Sequence, residues 1–127
     1  MTMNFDHTPE FKKELKSLAK RWPSLPRDLS IVEQVIETLY VDQDGVDRTA
    51  LRKNFFNSRR ATVLSRGEKG EAVKMRVDCA SLDRKHSMRL VFVFVYSGES
   101  VVFVELYSKT DKAREDSARL QKFMSSL

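Results

Sequence analysis

The chain has 127 residues, 41% of them hydrophobic, with 23 Lys plus Arg against 18 Asp plus Glu for a formal net charge of +5 at pH 7. That length suits one domain, residues 1–127, whose core needs no metal or disulfide staple, and a single cysteine with two histidines supports neither an oxidised secreted scaffold nor a Cys/His zinc site. No apolar run reaches the roughly 20 residues of a membrane span, and MTMNFDHTPE lacks the basic and apolar parts of a signal peptide, so a cytoplasmic location is expected. The cation excess favours a polyanion or an acidic protein as partner, although a merely soluble basic protein carries the same balance.

The chain opens with a short strand near Thr2–Phe5. Thr8 then caps a helix, Pro9 suits its first turn, Glu10 favours its positive end, and Phe11, Leu15, Leu18 and Trp22 share one face. Pro23 and Pro26 interrupt the pattern before Ile31, Val32, Val35, Ile36 and Leu39 resume it at helical spacing, which predicts a helical hairpin. Lys12, Lys13, Lys16, Lys20 and Arg21 line the outer side of the first helix, as charge does opposite any apolar stripe. Asp42, Asp44 and Asp47 around Gly45 lack the full twelve-residue calcium loop with its terminal Glu, so this stretch reads as a solvated turn.

From Leu51 to Leu64 no period is clean: Phe55 and Phe56 sit among Arg52, Lys53, Arg59 and Arg60, and a short helix followed by a strand from near Arg60 is the expectation. Arg66-Gly67-Glu68-Lys69-Gly70 and Ser97-Gly98-Glu99-Ser100 are hairpin signals, and Ser81 to Ser87 is a longer polar link. Strands near 60–65, 71–78, 88–96 and 100–107 then form a meander, and Ala113, Leu120 and Phe123 dock a final helix drawn from Asp111 to Met124. The prediction is an α+β domain with its helices packed on one face of a twisted antiparallel sheet of about four strands: an N-terminal helical hairpin and a C-terminal helix.

The strands carry the chemistry. Alternation puts Val73, Met75 and Val77 on one face and Lys74, Arg76 and Asp78 on the other, while Arg89 shares its face with Val91, Val93 and Val95 and needs an anionic partner. Glu105 on the next strand would supply one internally, and Lys74 and Arg76 singly could be a solvated outer face. With Lys109 and Lys112 just past the last strand, however, four or five cations converge on one end of the sheet, a surface suited to RNA. Metal-free RNA cleavage requires deprotonating the 2′-hydroxyl, holding the phosphate in line and protonating the leaving 5′-oxygen. A Lys depressed by neighbouring cations could move a proton, whereas Arg stays charged and serves as a clamp. Tyr107 is a further acid or stacking group, or core. His86, in Asp83-Arg84-Lys85-His86, is a general base or simply an exposed loop histidine. No phosphate-binding glycine loop, metal-spaced carboxylate set or recognisable Ser or Cys nucleophile is present, and Cys79 reads as an inert strand-end residue.

These segments resemble the RelE/ParE superfamily of toxins from type II toxin–antitoxin modules, nearest its RelE and HigB branches. Phe11-Lys12-Lys13-Glu14-Leu15-Lys16 with Leu18 and Lys20-Arg21-Trp22-Pro23-Ser24-Leu25 is similar to the family's opening helix and turn. Val73-Lys74-Met75-Arg76-Val77, Met88-Arg89-Leu90-Val91-Phe92 and Val104-Glu105-Leu106-Tyr107-Ser108-Lys109 resemble its three later strands. The resemblance implies two helices against a twisted antiparallel sheet, and an mRNA interferase that cleaves ribosome-bound mRNA without metal or cofactor and is neutralised by a cognate antitoxin.

It further implies a catalytic set of Lys74, Arg76, Arg89 and Lys109: the first two hold the mRNA backbone and assist proton transfer, Arg89 stabilises the scissile phosphate and Lys109 lies at the rim. Arg84, Lys85, His86, Tyr107 and Lys112 are the accompanying RNA-binding residues. The chain departs from the pattern in having Ser87-Met88 where glycine often precedes the central Arg, in lacking a tyrosine in the last helix, and in a longer segment from Tyr40 to Gly70. The acid is therefore either missing or supplied by His86 or Tyr107. Two alternatives share the architecture: a non-catalytic relative that binds RNA or protein, and a ParE-like gyrase inhibitor.

Overall fold

A computed structural model describes residues 3–41, 47–81, 87–98 and 100–127. The elements run β1 (Asn4–His7), α1 (Pro9–Arg21), α2 (Leu25–Tyr40), α3 (Thr49–Phe55), β2 (Ala61–Arg66), β3 (Gly70–Val77), β4 (Met88–Val95), β5 (Ser100–Ser108) and α4 (Ser117–Ser125). No helix among the described residues is long and apolar enough to cross a membrane.

The sheet has five strands in the order β1-β5-β4-β3-β2. Strands β2 to β5 form the expected antiparallel meander, but β1 joins the edge parallel to β5, with Asn4 opposite Ser100 and His7 opposite Phe103, so the sheet is mixed rather than antiparallel. A parallel neighbour needs a crossover, and the whole segment from α1 to β4 separates the two strands. Strand β1 also lies two residues later than the Thr2–Phe5 expectation.

Helices α1 and α2 pack on one face, where Phe11, Leu25, Leu29 and Ile36 meet Val73, Met75, Leu90, Phe92, Phe103 and Leu106. Thr8 caps α1 as its sequence signal required: its Oγ1 accepts from the Phe11 N–H at 3.2 Å and donates to the Val104 carbonyl at 3.2 Å, pinning the helix start to β5. Asp28, buried in the first turn of α2, accepts from the Ser24 hydroxyl at 2.7 Å and the Ala80 N–H at 3.2 Å. Ser24 and Ser81 exchange hydrogen bonds at 2.9 and 2.8 Å, so the chain leaving β3 is tied to the α2 start. Cys79 contacts the Ser24 hydroxyl at 3.4 Å, and burial raises its thiol pKa, in keeping with an unreactive strand-end residue.

Helix α4 lies on the opposite sheet face, correcting the expectation of helices on one face. Leu120 packs there with Ala72, Val91, Val93, Val104 and Tyr107. Strands β3 and β4 carry apolar residues on both faces, and one layer of helices leaves half of that surface in water. Helix α4 starts at Ser117 with Asp116 as its cap, and Ala113, expected to dock, is exposed ahead of it. At the β2–β3 turn, a Cβ on Gly70 would come within 2.6 Å of the Phe94 carbonyl oxygen, so the close approach of β4 requires glycine.

Candidate nucleic-acid interface

The register of the three central strands sets the site. Arg76 on β3 lies opposite Arg89 on β4, which lies opposite Tyr107 on β5, while one row further in Lys74, Val91 and Glu105 line up. Strand β5 bulges at Val104: Val91 pairs with Glu105 but Phe92 pairs with Phe103. The extra residue shifts the alternation, so that Phe103 and Leu106 both enter the α1–α2 core while Glu105 and Tyr107 turn to the other face. Without that bulge Tyr107 could not join the arginine row.

Arg89 is the unusual member. It is only 7% exposed, its guanidinium donates to its neighbour's Met88 carbonyl at 3.3 Å, and it has no ion pair among the described residues. Burial lowers its pKa, and the charge of Arg76 lowers it further. Glu105 is not the internal partner the sequence offered. It faces Val91 rather than Arg89, is nearly fully buried, and is taken by Lys112 and by the Asp116 N–H at 2.9 Å. Tyr107 is also buried, and burial followed by Glu115 and Glu105 pushes its hydroxyl up to about 12, so at neutral pH it stays a hydrogen-bond donor.

The expected cations fall into two groups. Arg76 is exposed and Lys109 is exposed, its N–H donating to the Ser87 carbonyl at 2.8 Å, so both stand with Arg89 at the same sheet end without a carboxylate partner among the described residues. Lys74 and Lys112 are already matched. The Lys74 ammonium pairs with Glu115 at 3.3 Å, and Lys112 pairs with Glu105 while its Nζ sits 5.3 Å from the Tyr107 ring centre. Arg84, Lys85 and His86 lie outside the described residues, as do Asp42, Asp44 and Gly45.

Glu115 was not singled out from the sequence, because Asp111 to Asp116 has no period and its charges look like an ordinary solvated link. The stretch instead crosses the basic face and supplies its carboxylate. Arg119 on α4 was missed because a lone arginine on a surface helix looks like an ordinary solvated position. It pairs with Glu14 at 2.8 Å and donates to the Val104 carbonyl, joining α4, α1 and the β5 bulge. Two free-standing arginines, a lysine at the rim and a tyrosine donor can grip a phosphate from one side, which is what the row offers chemically. Comparisons with family models, with curated proteins and with solved structures found no match to this chain.

Proposed function

We propose that this chain is a RelE-like toxin, a metal-independent endoribonuclease that cleaves ribosome-bound mRNA in the cytoplasm and is held inactive by a cognate antitoxin laid over its basic face. The single observation behind this reading is the buried Arg89, flanked by Arg76 and Tyr107 and lacking an internal carboxylate. Burying an unmatched guanidinium costs free energy unless an anion completes it, and a phosphodiester is the anion an arginine pair suits. In the proposed reaction the 2′-oxygen of the nucleotide before the cut attacks phosphorus, the bond to the 5′-oxygen breaks, and the products are a 2′,3′-cyclic phosphate and a 5′-hydroxyl. Arg76 and Arg89 hold the non-bridging oxygens, Lys109 steers the strand at the rim, and Tyr107 donates toward the leaving oxygen. His86 is the candidate to take the 2′-hydroxyl proton, with Arg84 and Lys85 beside it on the RNA.

A second reading has a specific observation in its favour. Lys74 and Lys112 are occupied by Glu115 and Glu105, which suits a module that binds RNA or an acidic protein without cutting it. Induction of the chain in a bacterial host, beside an Arg76→Ala/Arg89→Ala variant that expresses and folds normally, separates the two. Growth arrest within minutes with new mRNA 5′ ends, both lost in the variant, is the expected result. Normal growth with intact mRNA would sink the nuclease reading, and RNA affinity retained by the purified wild type would then favour the binding module.

A further inference from the structure

On the α1–α2 side of the sheet, away from Arg89, a cleft of about 630 Å³ opens between α3 and the β2–β3 hairpin. Its volume falls in the range of about 300–1,000 Å³ usual for small-molecule sites. Arg52 and Lys53 from α3 and Arg66 from β2 line it, with the amides of Asn54 and Asn57 and one carboxylate, Glu71. None of the three cations forms an ion pair among the described residues, in contrast to Lys74 and Lys112 on the other face.

The wall is fixed in advance. Arg52 donates to the Leu39 carbonyl at 3.1 Å and lies 5.3 Å over the Tyr40 ring, and Tyr40 stacks on Phe94 at 4.0 Å between centres. The two oxygens of Glu71 accept from the Tyr40 and Tyr96 hydroxyls at 3.0 and 3.3 Å, so Glu71 is engaged in bracing that wall although Arg66 is its cross-strand neighbour. Asp47, within electrostatic reach of Arg52, accepts instead from the N–H and hydroxyl of Thr49 at 2.9 and 2.6 Å and does not line the cleft. The lining therefore holds three cations against one carboxylate.

We infer that this cleft is a second, separate site that binds the phosphate monoester of a nucleotide. A net lining charge of two positive units matches the charge of about −1.5 to −2 that a phosphate monoester carries at neutral pH, where a carboxylate or a phosphodiester brings only one. Arginine forks with a lysine are the groups that hold such an oxyanion, and the neighbouring Asn54 and Asn57 amides can each donate and accept on a ribose or base edge. A free nucleotide and the 5′-phosphorylated end of an RNA strand present the same chemistry.

The test uses the full chain, ¹⁵N-labelled, titrated with adenosine 5′-monophosphate, adenosine, inorganic phosphate, and a tetranucleotide with either a 5′-phosphate or a 5′-hydroxyl. Adenosine 5′-monophosphate should move the signals of Asn54, Asn57 and Thr62, adenosine should bind at least tenfold more weakly, and Lys53→Glu/Arg66→Glu should lose at least tenfold in affinity. Both substituted side chains are exposed, so the variant should retain the wild-type melting temperature. If the 5′-phosphorylated tetranucleotide binds as tightly as the mononucleotide and its 5′-hydroxyl counterpart does not, an RNA end is a source; if only the mononucleotide binds, the source is a free nucleotide. Signals moving only around Arg76 and Arg89, adenosine or inorganic phosphate matching the nucleotide, or an unchanged affinity in a folded variant would overturn the inference. None of these outcomes depends on whether the chain cleaves RNA.

Discussion

Arg89 concentrates the conflict between stability and function that a buried cation implies. It lies opposite Arg76 with no carboxylate to offset desolvation, so an apolar side chain of similar length should be better tolerated by the fold than the arginine. Arg89→Met is expected to raise unfolding free energy by about 1–2 kcal/mol while removing RNA binding, a trade common at functional sites. Urea denaturation beside an RNA-binding titration checks both halves, and a destabilised variant would show that Arg89 is a structural strut. His7 makes a different prediction. Its ring stacks on Phe103 at 5.2 Å, and burial, then Lys12, lowers its pKa below the ordinary 6.5 while Asp6 opposes. The unfolded chain therefore binds the proton more readily than the folded one. His7's contribution is fully present above pH 6.5 and is lost as the pH falls through the lowered folded value. Melting temperatures of the wild type should drop more steeply between pH 7 and 5 than those of His7→Phe, and equal slopes would remove His7 as the cause.

Among the elements, the stretch from Lys109 to Asp116 behaves as a strap across the basic face rather than as the start of the last helix. Glu105 anchors it through Lys112 and the Asp116 N–H, and it delivers Glu115 to Lys74. Removing a buried carboxylate from such a pair leaves its partners unmatched, and because the Lys112 side chain is 41% exposed the cost belongs at the low end of the range for buried pairs. Glu105→Ala should lose about 2–3 kcal/mol in denaturant unfolding and speed hydrogen exchange selectively over residues 109–116. Exchange accelerated evenly across the sheet would point instead to general loosening. At this scale the elements with strong local signals were legible: Thr8 and Pro9 announce α1, and the glycines at 67, 70 and 98 announce two hairpins. The strap was not. Its order comes from contacts with Glu105, on the strand just before it, and with Lys74, 41 residues from Glu115, and no local pattern in Asp111 to Asp116 encodes either.

For the whole molecule the excess of five positive charges is spread over both sheet faces, yet only unmatched cations can exchange condensed counterions for phosphates. With Arg76, Arg89 and Lys109 engaged, the logarithm of single-stranded RNA affinity should fall against the logarithm of salt concentration with a slope of about −2. Glu115→Gln frees Lys74 and should steepen that slope toward about −3. An identical slope in both proteins would mean that Lys74 never reaches RNA. The opposite face carries its own group of cations at Arg52, Lys53 and Arg66, of which the sequence presented the first two only as basic residues around Phe55 and Phe56 without a period, and Arg66 only as the start of a hairpin turn.

The sequence by itself determined the helical hairpin, the antiparallel meander and the sharing of one strand face by Lys74 and Arg76, because helix and strand periods and turn chemistry are local properties. It also put Arg89 in an apolar row. Only the tertiary structure decided that β1 pairs parallel with β5, that α4 covers the second face, and that the Val104 bulge turns Tyr107 toward Arg89. The same holds for which cations stay free: Glu105 and Glu115 choose Lys112 and Lys74 over Arg89 because register and chain path bring those ammonium groups within reach. Pairing partners and register are set by contacts between residues far apart in the chain, and a local pattern carries no information about which distant charge will arrive opposite it.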